Sequence, residues 1–284
     1  MKIEAQEYAR NYHRFTVTVD FPFERWLFAC SDIHIDNPKC NRELLKEHFD
    51  LCLERDAMIC IFGDLFCLMQ GKYDKRRNKS AIMPAHMGED YIDLVINEAA
   101  EFLKPYAKNI LLITTGNHES KVSNNLETNI LARFIERLNL IAESQIKHGA
   151  YDGYFTLQFK GQGSTTTARA LQCGYSHGRW GGIVTKGVMA AQRHSSYMPD
   201  CDIHFSGHTH DTWAVKHPIL RKNTHQRKVE VIQQYHVKTG TYKEEYEKGE
   251  GWAVEKIGMP KSSDGGMFVK ITGNTRGLKF KCVL

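Results

Sequence analysis

Asp32-Ile33-His34, Gly63-Asp64, Gly116-Asn117-His118-Glu119 and Gly207-His208-Thr209-His210 fall in that order along a 284-residue chain, with Ser176-His177-Gly178 between the last two. Each piece alone is common. Together they supply carboxylate, amide and imidazole ligands, the set that two divalent metals need. Asp32 and His34 are two apart, and on an extended turn alternate side chains point the same way, so the pair can hold one ion. His208 and His210 repeat that spacing. Asp64 can bridge two metals through its two oxygens, and Asn117 offers a neutral amide oxygen. Glycines beside Asp64, Asn117 and His208 permit tight turns.

Every one of these residues also has a structural explanation. A lone His177 is more often a satisfied core or surface histidine; Asp32 could cap a helix, and Asp64 and Asn117 could be turn residues. Five of the fourteen histidines sit in these pieces, however, and each piece lies at the end of a predicted strand. That joint placement outweighs the separate explanations. His13, His48, His86, His148, His204, His217, His225 and His236 have no such context and read as ordinary histidines. His194, beside Arg193 at a predicted helix end, is a candidate substrate contact.

The elements that must carry these motifs alternate through the first half. Residues 26–30, 57–62 and 109–115 read as strands that end at Asp32, Asp64 and Asn117. Between them, Asn41 can cap a helix with Leu44, Leu45, His48, Phe49 and Cys52 on one face. Residues 90–103 are helical in period through Tyr91, Leu94, Val95 and Phe102, and Pro105 stops them. Residues 125–138 form another amphipathic helix with Leu126, Ile130, Phe134, Ile135 and Leu138 inward.

The second half is richer in strands. Residues 154–160 and 168–175 flank a Gly/Ser/Thr turn and read as a hairpin. A helix is expected over 182–194 and a short strand over 201–205, followed by strands at 229–237, 266–271 and 278–283, with 15–19 as an edge strand. Strand after strand delivers a motif at its carboxyl end, where open α/β sheets bind ligands. The chain thus reads as one α/β domain over 1–284, with the polar, glycine-bearing segment 243–265 as a lid or insertion.

Composition fits a globular protein, at 42% hydrophobic and 25% charged residues. The longest apolar runs are far too short to span a membrane and the N-terminus lacks the apolar stretch of a signal peptide, so cytoplasmic residence is expected. The eight cysteines show no C-x-x-C spacing and read as buried free thiols. A net charge of +5 is too mild to be a nucleic-acid footprint. Two basic clusters, Lys72, Lys75, Arg76, Arg77 and Lys79, and Lys216, Arg221, Lys222, Arg227 and Lys228, are either solvated loops or polyanion contacts.

The ordered motif set resembles the calcineurin-like metallophosphoesterase superfamily, whose pattern is D-x-H, G-D-x-x-D/H, G-N-H-D/E, H and G-H-x-H. The match runs from Asp32 to His210, about two thirds of the chain. The resemblance implies a two-sheet β-sandwich flanked by helices, in four layers αββα. It implies one metal held by Asp32, His34, Asp64 and His210, and a second by Asp64, Asn117, His177 and His208. His118 would lie beside the scissile phosphate as the acid for the leaving oxygen, with Glu119 orienting ligands. In such sites the metals clamp phosphate oxygens and make a hydroxide nucleophile from water.

One departure stands out. Where the family often has Asp or His three residues after the bridging Asp, this chain has Cys67, and the Asp-Arg-Gly of the protein phosphatases is absent. Gly63-Asp64-Leu65-Phe66 looks more like the Mre11/SbcD-type nuclease branch. The expected activity is therefore a phosphodiesterase acting on nucleotides or nucleic acid, with two divalent ions, Mn²⁺ ahead of Fe, Zn, Ni or Mg. The alternatives are a phosphomonoesterase, including a protein phosphatase, or a Mre11-like nuclease subunit. No membrane contact or obligate protein partner is expected. Arg76 and Arg77 could bind phosphate at the rim. Arg179 and Trp180, next to His177, could clamp phosphate and stack a base, or could be solvated and packed in the core. Tyr242 is a weaker candidate that core packing explains better.

Overall fold

The computed structural model describes residues 1–69, 78–162, 167–178, 188–223, 227–246, 264–275 and 277–283. β1 (Ile3–Ala9) and β2 (Tyr12–Val19) form a hairpin that leads into β3 (Phe23–Cys30). Next come α1 (Arg42–Glu54), β4 (Met58–Phe62), α2 (Tyr91–Leu103) and β5 (Ile110–Thr114). They are followed by α3 (Asn117–Leu126), α4 (Ile130–Ala142) and the short β6 (Lys147–Gly149). The second half holds β7 (Asp152–Gly161), β8 (Thr167–Ser176), α5 (Val188–Tyr197) and β9 (Ile203–Ser206). β10 (Trp213–Asn223), β11 (Lys228–Lys238), β12 (Met267–Asn274) and β13 (Gly277–Val283) complete the chain.

The strands make two mixed sheets, one in the order β1-β2-β7-β8-β9-β11-β10 and the other β13-β12-β3-β4-β5-β6. Alternation along β2 shows why they face each other. Phe15, Val17 and Val19 are buried, and the residues between them are half-buried. These side chains meet Phe155, Leu157 and Phe159 of β7, and Leu27, Met58, Cys60 and Leu112 of the other sheet, in one core between the sheets. β4 and β5 are buried on both faces, as is β3 from Leu27 to Cys30, so these stretches read as continuous apolar runs. Their outer face packs Phe28, Ile59 and Ile61 against Leu45, Phe49 and Cys52 of α1, Val95 and Ala99 of α2, and Phe134 and Leu138 of α4. α5 lies on the outer face of the seven-stranded sheet, where its Ser195 bonds Gln234 of β11. The result is the expected four-layer α/β architecture, with α1, α2 and α4 outside one sheet, joined there by Val122 of α3, and α5 outside the other.

Several local expectations need correction. The helix expected over 125–138 is two helices. Glu127 adopts a left-handed conformation that ends α3, and the Asn129 side chain accepts the Ala132 N–H to start α4. Leu126, placed inward by period, is consequently exposed, as is Leu94 of α2. The expected edge strand at 15–19 is interior, because β1 pairs outside it. β10 gave no clear sequence signal. It is an edge strand, the one setting where its Pro218 costs no ladder hydrogen bond. The helix expected over 182–194 is observed as α5, which runs on to Tyr197, while 182–187 lie outside the described residues. Most of the expected lid, 247–263, also lies outside them. All eight cysteines are free thiols, as expected, but Cys40 and Cys282 are only half-buried. Among the described residues no helix is long and apolar enough to cross a membrane.

Candidate dinuclear metal centre

Six parallel strands, three from each sheet, end at one place. β3, β4 and β5 run parallel, as do β8, β9 and β11. Past their carboxyl ends stand Asp32, Asp64 and Asn117 from one sheet, and His177, His208 and His210 from the other. The backbone is bent sharply to aim them. Asp32, His34, Asp64, His208 and His210 all have positive φ, between 50° and 74°. Non-glycine residues in that region are strained, and such strain concentrates at functional sites. Close approach adds to it. A Cβ on Gly116 would collide with the backbone nitrogen and carboxylate of Asp64, and one on Gly207 with Ser31 and Asp32.

Two groups of possible ligands result. In each, the ligand atoms lie within 4.8 Å of one another: Asp32, His34 and His210 in one, Asp64, His177 and His208 in the other. Asp64 Oδ2 is 3.1 Å from His177 Nε2, and Asp32 Oδ1 is 3.3 Å from His210 Nε2 and 3.9 Å from His177 Nε2. Asn117 Oδ1 completes the second group, 3.0 Å from His177 Nε2.

The chemistry of these groups suits a metal pair. His34 is buried with neither ring nitrogen hydrogen-bonded, and Asp32 Oδ1 likewise makes no well-aligned hydrogen bond. Buried polar atoms are rarely left so. His177 Nδ1 lies 2.9 Å from the Phe62 carbonyl, and His210 Nδ1 lies 3.2 Å from Glu245 Oε2. A ring N–H donated to a carbonyl or carboxylate leaves Nε2 as the lone-pair side, the usual arrangement of a metal-ligating histidine.

Supporting residues hold the ligands in turn. Glu119, buried, accepts the N–H groups of Asp64, Phe66 and Gly116 at 3.2, 3.0 and 2.9 Å. It is an orienting residue, as the resemblance implied. The His208 N–H donates to Asp32 Oδ2 at 2.8 Å, and Ser31 donates to the same oxygen. Thr241 Oγ1 donates to the Asp32 carbonyl at 2.8 Å, and Lys243 Nζ holds Glu245 Oε1 at 2.7 Å. Sequence reasoning missed Ser31, Asp36, Thr241, Lys243 and Glu245. Only Asp36 carried a signal, since it continues the every-second-residue spacing of Asp32 and His34.

His118 stands just outside both groups. Its Nδ1 is 2.6 Å from the Cys67 carbonyl and its Nε2 is 3.9 Å from Asp64 Oδ2. Position 67 therefore does support this histidine, through its backbone and not its side chain. Asp36 fixes that backbone by accepting the Cys67 and Leu68 N–H groups at 2.5 and 2.8 Å. The Cys67 thiol faces Asn37 Nδ2 at 3.1 Å, and burial with the Asp36 charge pushes its pKa up to about 12.

Without metals, protons occupy the ligands. Burial opposes charge on His177, but Asp64 and Asp32 override it and raise its pKa to about 10. At His210 burial is likewise overridden, by Asp32 and Glu245, and the pKa rises to about 9. Burial together with neighbouring imidazolium charge holds His208 down to about 4 and His34 well below the ordinary value. At pH 7 the metal-free site thus carries two imidazolium protons, on His177 and His210, and metals must displace them. Loading at pH 7 is expected to release about two protons from these rings and part of a third from Glu119, whose pKa burial and the Asp64 charge raise to about 8, read by titration calorimetry in buffers of different ionisation heat. The folded pKa values of both groups lie above the unfolded value of about 6.5. Their stabilisation is therefore complete below that pH and is lost as pH rises through about 9 to 10. The melting temperature of metal-free protein should fall across that window while metal affinity climbs. Proton release near zero would exclude this account.

The other sequence candidates divide clearly. Arg76, Arg77, Arg179 and Trp180 lie outside the described residues. His194 is away from the site, stacked on His204 under α5. Tyr242 is a core residue whose hydroxyl meets His48 Nδ1 at 2.9 Å. In the second basic cluster Arg221 is structural, bonding Asp202 at 2.7 Å and the Cys201 carbonyl at 2.9 Å.

No protein-family model matches the sequence, and no curated protein matches it. Among solved structures the chain is similar to vacuolar protein sorting 29 of Cryptosporidium parvum, at 14% identity over 92% of this chain and 97% of that one, with a TM-score of 0.39. It is also similar to Vps29 of Entamoeba histolytica solved with zinc, at 11% identity, 91% and 98% coverage and a TM-score of 0.38. A third is a Streptococcus pneumoniae protein described as a predicted phosphoesterase, at 9% identity, 92% and 99% coverage and a TM-score of 0.33. With likenesses this distant, the chemistry of the centre stands on its own side chains.

Proposed function

We propose that this chain is a dinuclear-metal phosphoester hydrolase of the calcineurin-like metallophosphoesterase type, cleaving phosphodiesters in nucleotides or nucleic acid. One observation carries the proposal. Two oxygen-and-imidazole ligand groups lie side by side at the strand ends, with His118 against them, its ring within reach of His34 and Cys67. Asp32, His34 and His210 would hold one ion, Asp64, Asn117, His177 and His208 the other, and Asp64 would bridge. A ligand set of carboxylate, amide and imidazole suits Mn²⁺, Fe²⁺ or Zn²⁺. Bound there, two such ions supply Lewis-acid charge for phosphate oxygens and lower the pKa of water.

The protein's own residues do the remainder. The strained turns and the bonds to Glu119, Phe62 and Glu245 fix the ligands before substrate arrives, so no reorganisation is needed during reaction. His118 directs Nε2 toward the centre while Nδ1 is held by the Cys67 carbonyl. At Nε2 it would hold the proton that the leaving oxygen takes. Diester chemistry is favoured because this histidine rests on a carbonyl where the protein phosphatases use a carboxylate.

The test compares bis-p-nitrophenyl phosphate with p-nitrophenyl phosphate in the presence of Mn²⁺, then single-stranded and duplex DNA and RNA beside cyclic and dinucleotides. Faster turnover of the diester is expected. Preference for the monoester would replace the proposal with a phosphomonoesterase. Loaded protein that cleaves nothing would make it a binding protein.

A further inference from the structure

Four histidines from four elements meet on the outer face of the seven-stranded sheet, away from the centre described above. His204 of β9 and His236 of β11 sit directly opposite in parallel register. His194 of α5 stacks on His204 with ring centroids 4.0 Å apart. His217 of β10 meets His236 edge-on at 5.2 Å. Gly174 of β8, next to His204, leaves room for the ring, since a Cβ there would stand 3.1 Å from it.

This cluster is not satisfied as ordinary packing. His204 is 1% exposed with neither ring nitrogen hydrogen-bonded, and His236 Nδ1 and His217 Nε2 are also buried without partners. His236 shows why its free nitrogen is the lone-pair side. Gln234, fully buried, spends its amide Nε2 on the Met198 and Cys201 carbonyls at 3.1 and 2.9 Å. Its Oε1 must therefore accept from His236 Nε2, 2.9 Å away. Nδ1 is left unprotonated, buried and without a hydrogen-bond partner. A carbonyl that fixes the tautomer of a ligating histidine is the usual outer support of a metal site.

We propose that His194, His204 and His236 form a further metal site that takes a single Zn²⁺, with Gln234 orienting His236. Ligand atoms from the three residues lie within 4.8 Å of one another. Zn–N bonds of about 2.0–2.1 Å bring nitrogens to about 3.3 Å apart. Closing the set would need a shift of His194, half-buried in the last turn of α5. Three imidazoles without carboxylate or thiolate suit Zn²⁺ and not Mg²⁺ or Ca²⁺. Burial, the adjoining imidazoles and Lys238 keep His204 in its neutral, ligating form. The Lys238 ammonium also works against a dication, so binding is weaker than at a site with carboxylates. Bound Zn²⁺ would clamp α5 to β9 and β11.

The test is zinc content by equilibrium dialysis of the full chain at fixed micromolar free Zn²⁺, for wild type, His194→Ala and His236→Gln. Each variant is expected to hold one ion fewer than wild type. Because only the difference is read, the result does not depend on how the dinuclear centre is filled. Co²⁺ loading gives a second reading, as the visible bands of four-coordinate nitrogen-ligated cobalt should weaken in both variants. His194→Ala alters a half-buried residue near a helix end and leaves the sheet intact, so it separates binding from misfolding. Equal zinc content and unchanged cobalt spectra in His194→Ala would overturn the proposal.

Discussion

His118→Ala should slow phosphodiester cleavage by about 10²–10⁴-fold, the usual contribution of a positioned general acid, with metal content unchanged. The metals should stay because the two carboxylate-bearing groups are complete without this side chain, which groups only with His34 and with the Cys67 thiol, whose pKa burial pushes up to about 12. The turn that carries it also stays, because its backbone N–H, which donates to Asp64 Oδ1 at 2.9 Å, survives the substitution. The loss should depend on the leaving group. A p-nitrophenolate departs with little help from a proton, whereas the alkoxide of a nucleotide sugar needs one. The variant should therefore be far more impaired on a dinucleotide than on bis-p-nitrophenyl phosphate. Equal impairment on both would mean that His118 positions phosphate and does not protonate. By the same geometry, Cys67→Ala should stay close to wild type, because the support comes from a carbonyl.

Asp64→Asn should remove both metal binding and turnover. Asn can still accept the His118 N–H, so the local fold persists. What disappears is the negative charge proposed to bridge the two ions, which also holds His177 at its raised pKa. Loss of an outer supporting group typically costs about 10–100-fold in metal affinity, and loss of a shared ligand should exceed that. Metal content after desalting and rate at saturating Mn²⁺ check this together. A variant that retains two ions and fails only in rate would show that Asp64 does not bridge.

Much of this centre was legible in the sequence because its ligands are local in motif and global only in where strands end. Asp32, Asp64, Asn117, His177 and His208 each follow an apolar run, and sheet topology alone brings such ends together. The supporting residues were not legible for the opposite reason. Glu245 reaches His210 from 35 residues away, and a single Glu in a polar stretch has no periodicity to mark it. Cys67 was misleading in a different way. Its side chain was compared with a carboxylate, but the backbone oxygen, invisible to a residue-type argument, makes the contact. His204 and His236 looked ordinary because each alternates with apolar neighbours in its own strand. Only the parallel register of β9 and β11 sets them face to face.

The left-handed turns at Asp32, His34, Asp64, His208 and His210 bear on how this protein can be improved. Each such conformation costs a non-glycine residue on the order of 1–3 kcal/mol, and glycine would adopt it freely. In chelator, His208→Gly, which relieves the turn at a half-buried position, should therefore melt higher than His34→Gly, which also empties a fully buried site. Relief of the turn and retention of the ligand pull in opposite directions at these five positions. Thermostabilisation is better sought elsewhere in the sandwich, where a substitution need not trade a candidate ligand for a relaxed turn.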